Sequence, residues 1–74
     1  MNLQTRYVAA MQTEKFVANV ERLVGGRQPY ELLRQKGLSF EIGVRATRDP
    51  RHLKLLDIPK LAKAFGVEIS ALFT

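Results

Sequence analysis

Seventy-four residues allow one domain at most, and a chain this short buries only about 60% of its unfolded surface on folding. A composition of 46% apolar and 26% charged residues excludes a disordered tail, and the lack of cysteine excludes a disulfide framework and a thiolate metal site. The net charge of +5 is uneven: residues 27–54 set Arg27, Arg34, Lys36, Arg45, Arg48, Arg51 and Lys54 against Glu31, Glu41 and Asp49, a net of +4.

A localised positive surface attracts polyanions, nucleic acid first and anionic membrane second. No apolar run approaches the roughly 20 residues needed to span a membrane. The opening MNLQTRYVAAMQTEKF lacks the basic-then-apolar layout of a secretory leader, so a cytoplasmic location is expected.

Residues 1–12 have no obvious place in a core. Leu3, Tyr7, Val8 and Met11 there are candidates for a dimer contact or for a protein partner's landing site, and the plainer expectation is a partly ordered tail. The spacing of Phe16, Val17, Val20, Leu23 and Val24 predicts a helix over 13–24, capped by Thr13 and stopped by Gly25-Gly26. QPYELLRQKG predicts a second, two-turn helix. Pro29 suits its first position, Arg34 and Lys36 complement its dipole, and Gly37 closes it. A helix of two turns exists only when neighbours pack on it.

LSFEIGVRATRDP has two readings. Leu38, Phe40, Ile42, Val44 and Ala46 alternate with polar or small residues, which favours a strand paired with HLKLL in a hairpin over 38–56. A helix capped by Ser39 instead makes Leu38, Ile42 and Ala46 one stripe, weakened at Gly43 by about 1 kcal/mol relative to alanine. The next segment is clearer. Asp57 as cap and Pro59 in the first turn open a helix with Ile58, Leu61, Ala62 and Phe65 on one face. Gly66 ends it, and EISALF offers Ile69, Leu72 and Phe73 to the same core. Leu72 and Phe73 are also candidates for an interface on the C-terminal helix.

The ending LAKAFGVEISALF, with GLS at 37–39 and NVERL at 19–23, resembles the Cro/repressor-type (XRE-like) helix-turn-helix family over roughly 13–73. Three positions depart from that family's pattern. Leu33 stands where a small residue is usual, Lys36 where an apolar one is, and Gly43 where a branched one is. The resemblance implies an all-α, five-helix lambda-repressor-like domain over 13–74, and it turns the reading of 39–48 to helix. That helix would lie in a DNA major groove with Ser39, Phe40, Glu41 and Arg45 at base edges.

Each position also has a plainer reading. Arg45 can bind guanine or a phosphate, and Glu41 can accept from cytosine. Phe40 can touch a thymine methyl or lie in the core, and Ser39 can simply cap. Phosphate contacts fall to Gln28, Tyr30, Arg48, Arg51 and Lys54, with Arg34 and Arg27 weaker. Taken singly, each of these cations can equally be solvated surface, and His52 reads as a loop residue. The resemblance further implies a homodimer on two half-sites. The function expected is a repressor-like transcription regulator acting on double-stranded DNA. The alternative is a protein-interaction adaptor or antitoxin-like module on the same fold. With one His, no Cys and no suitably spaced carboxylate pair, no enzyme and no cofactor are expected.

Overall fold

The computed structural model describes residues 14–74; the cap expected at Thr13 and the contact expected through residues 1–12 lie outside them. Four α-helices follow one another: α1 (Glu14–Val24), α2 (Pro29–Lys36), α3 (Phe40–Arg48) and α4 (Asp57–Phe65). A 3₁₀ turn, Pro50–His52, joins α3 to α4, and a second, Ile69–Phe73, follows α4. The described residues are thus all-helical and contain no strand. Four of the five expected helices are α-helices, and the last expected one is only the 3₁₀ turn Ile69–Phe73.

The alternation at 38–46 is a helix seen from both sides. Leu38, Ile42 and Ala46 are buried, as is Gly43, while Phe40 lies outside. Ser39 starts this helix: its backbone is extended and its Oγ accepts a hydrogen bond from the Ile42 N–H at 3.3 Å. The hairpin over 38–56 does not form. Asp49 caps α3, Pro50 turns the chain, and Leu53 is driven wholly into the core. Helix spacing gives the segment a dense face against α1 and α2, which a lone hairpin could not supply.

Two glycines do work that a side chain would strain. Gly37 (φ 68°) closes α2 in the left-handed region and donates to the Leu33 carbonyl. Gly66 (φ 68°) does the same for α4, with the Val67 N–H reaching back to Ala62 O at 3.0 Å. Asp57 departs from its expected role. It is the first residue of α4 rather than its cap, and its Oδ2 reaches backward to the Lys54 N–H at 3.4 Å.

Phe16, Val20, Leu32, Leu53, Leu61 and Leu72 fill the centre. Phe73 is half-buried, its ring 5.1 Å from that of Phe16. Asn19 is buried in α1 and donates Nδ2 to Leu72 O at 3.0 Å, which fixes the last turn to the first helix. Leu72 is therefore core, and Phe73 packs against that core while staying partly open. Ile69, expected inside, is 47% exposed.

Gly43 marks a close approach of α2 and α3. A Cβ on it would stand 3.2 Å from the Pro29 carbonyl oxygen, so α2 and α3 meet too closely for a branched side chain. Gly43→Val should therefore lower stability by about 1–3 kcal/mol through overpacking. Urea unfolding monitored by circular dichroism reads this directly, and an unchanged midpoint would contradict the close contact.

Candidate nucleic-acid interface

α3 sorts its residues onto two sides. Ile42, Gly43 and Ala46 face inward, and Phe40, Val44 and Arg48 form an i, i+4, i+8 row on the other side. Phe40 is 60% exposed, which removes its core reading. Next to this row stands the start of α2. Pro29 is buried and Tyr30 is 70% exposed. Gln28 holds an extended backbone and its side chain makes no capping bond. Gln28, Pro29, Tyr30, Phe40, Val44 and Arg48 enclose one shallow depression. Thr47 lines a neighbouring hollow with Arg27, Gln28 and Arg48, while its hydroxyl donates within α3 to Gly43 O at 3.0 Å.

The flank of α3 that faces α4 is ionic. Arg45 Nη2 lies 2.6 Å from Glu41 Oε1, and its Nη1 lies 3.9 Å from Asp57 Oδ2. The Arg45 side chain is 24% exposed and that of Glu41 is 62% exposed. A guanidinium between two carboxylates, one of them also bound to the Lys54 N–H, ties α3, the connecting turn and α4 together. Arg45 is thus not a free arm. To reach a base it must trade a carboxylate for it, or carry Glu41 along as a pair. Ser39, Glu41, Arg45, Lys54, Asp57 and Lys60 line a second hollow on this flank.

The remaining basic residues divide by their surroundings. Arg48 and Arg51 are exposed, the first at the end of α3 and the second in the Pro50–His52 turn. Lys54 is half-buried. Arg34 is exposed in the last turn of α2 and lines neither hollow beside α3. Arg27 donates Nη1 to Leu23 O at 3.3 Å, so it is occupied at the end of α1. His52 pairs with Asp49 across the turn.

Ten site residues were read from sequence. Gln28, Tyr30, Phe40 and Arg48 gather on one side of α3, and Ser39, Glu41, Arg45 and Lys54 on the other. Val44, Thr47 and Lys60 line the same hollows and are not among the ten. The Phe40–Val44–Arg48 spacing is visible in the sequence, but Val44 also completes the strand-like alternation, which hid it. Comparison with protein-family models, curated proteins and solved structures gives no match to this chain.

Proposed function

We propose that the chain is a sequence-specific, repressor-like transcription regulator that binds double-stranded DNA through a lambda-repressor-like helix-turn-helix. The observation that carries this reading is the exposed face of α3 with the start of α2 beside it, in the segment that holds most of the net charge. A helix about 10–12 Å across fits a major groove about 12 Å wide. On this reading Phe40, Val44 and the Glu41–Arg45 pair meet base edges, with Ser39 at the helix tip. Gln28, Tyr30, Arg34, Arg48, Arg51 and Lys54 meet phosphates. Nine residues of α3 span few base pairs, so a two-fold homodimer on half-sites about one DNA turn apart would supply the specificity.

Salt dependence tests the proposal. Six phosphate contacts in each protomer should reduce duplex affinity by about 10³-fold per bound protomer between 50 and 200 mM salt. Arg51→Ala and Lys54→Ala should each weaken all duplexes alike and flatten the log K against log salt plot by roughly 0.9. No duplex binding at low salt would refute the reading.

A second reading has its own support. Tyr30 and Phe40 are large, exposed aromatics around one hollow, and aromatics are enriched at protein interfaces. An adaptor or antitoxin-like module on the same fold would use that patch. It would bind its protein partner with shallow salt dependence and would lose the partner in Tyr30→Ala and Phe40→Ala.

A further inference from the structure

A hollow larger than the one around Tyr30 and Phe40 also lies beside α3. It lies between the α2–α3 turn and α4, has a volume of about 560 Å³, and is walled by Lys36, Lys60 and Lys63 with Ser39 at its edge. No carboxylate lines it. Lys60 and Lys63 stand three residues apart on the exposed side of α4 and have no ion-pair partner among the described residues. Like charges at that spacing repel along a helix, a cost that a bound polyanion removes. Lys36 is held in place, its ammonium 5.9 Å from the centre of the Phe65 ring.

We infer that this hollow seats the phosphodiester backbone of the DNA strand on the α4 side of α3. The inference rests on the regulator reading and extends it. A helix lying in a major groove has a backbone strand on each side. The Gln28–Tyr30–Arg48 edge faces one strand. Ser39 and Lys60 belong both to this hollow and to the one that holds Lys54, so the cations on the α4 side form one continuous edge for the other strand. The footprint is therefore two-sided, and α4 is part of it.

The test is a salt titration of a labelled 20-base-pair duplex against the full chain and the triple variant Lys36→Gln, Lys60→Gln, Lys63→Gln. A Lys15→Gln, Arg22→Gln variant removes exposed charge from α1 as a control. The triple variant should flatten the log K against log salt slope by roughly 2–3 units, since each lost phosphate contact removes about 0.9, and the control should not. In the unmodified chain, bound duplex should also protect Lys60 and Lys63 from amine acetylation, read by mass spectrometry, so the inference does not depend on the variant folding.

An unchanged slope in the triple variant, an equal loss in the control, or unprotected lysines would overturn the inference while leaving the regulator reading intact. Absence of duplex binding by the unmodified chain would overturn both. Protection by poly-glutamate but not by duplex would overturn it in favour of an acidic protein segment.

Discussion

Phe16→Ala should leave the domain on the edge of unfolding at 25 °C. Phe16 is fully buried and its ring lies beside that of Phe73. Phenylalanine-to-alanine changes in cores cost about 3–5 kcal/mol. At about 0.05–0.15 kcal/mol per residue, a domain of this length has about 4–11 kcal/mol in all, so the change removes a large share of it. The surroundings cannot close the gap easily, because Asn19, one turn along α1, holds the last turn by its carbonyls. Chemical denaturation should show a lost or strongly shifted baseline at zero urea. Phe73→Ala, which removes the half-buried partner, should cost less. A change below 1 kcal/mol for Phe16→Ala would mean that the core is centred elsewhere.

The second large effect is expected at Arg45. Removing its guanidinium leaves Asp57, with a side chain only 12% exposed, without its positive neighbour. Stranding a part-buried charged group costs about 1–3 kcal/mol, so Arg45→Ala should lower the urea midpoint. If Arg45 also reads a base, the same variant should lose about 1–3 kcal/mol of discrimination between a selected duplex and a scrambled one. Asp57→Asn separates the two roles. It weakens the tie to α4 but keeps an oxygen for the Lys54 N–H and leaves Glu41 in place. Should Arg45→Ala reduce stability without changing discrimination, Arg45 is a strut, and base reading falls to the Phe40–Val44–Arg48 row.

The helices of this chain were legible because their punctuation is local. Pro29, Ser39, Gly37 and Gly66 act through backbone geometry within a turn or two, and the sequence displays each of them. The alternation at 38–46 was ambiguous for a physical reason. A helix with residues 40 and 44 on one side and 42 and 46 on the other puts the same letters in the same order as a strand. Only the contact with α2 decides between them, and it runs through Gly43, a residue without a side chain to advertise it. The ionic ties were beyond a sequence reading for the same reason. Arg45 and Asp57 are twelve positions apart, and nothing in their spacing says that α4 returns to α3. Nothing in the spacing of Lys60 and Lys63 sets Lys36 across from them; the fold does.

The contact at Gly43 also bears on how such a chain can diversify. Because the start of α2 and the middle of α3 are joined at backbone distance, Tyr30 and Phe40 ride on one rigid block, and the block's inner seam tolerates almost no change. The outer row is under no such constraint. Phe40 and Arg48 are exposed and can be exchanged with little effect on what holds them, so new partners are open to evolution by repainting one side of a fixed frame.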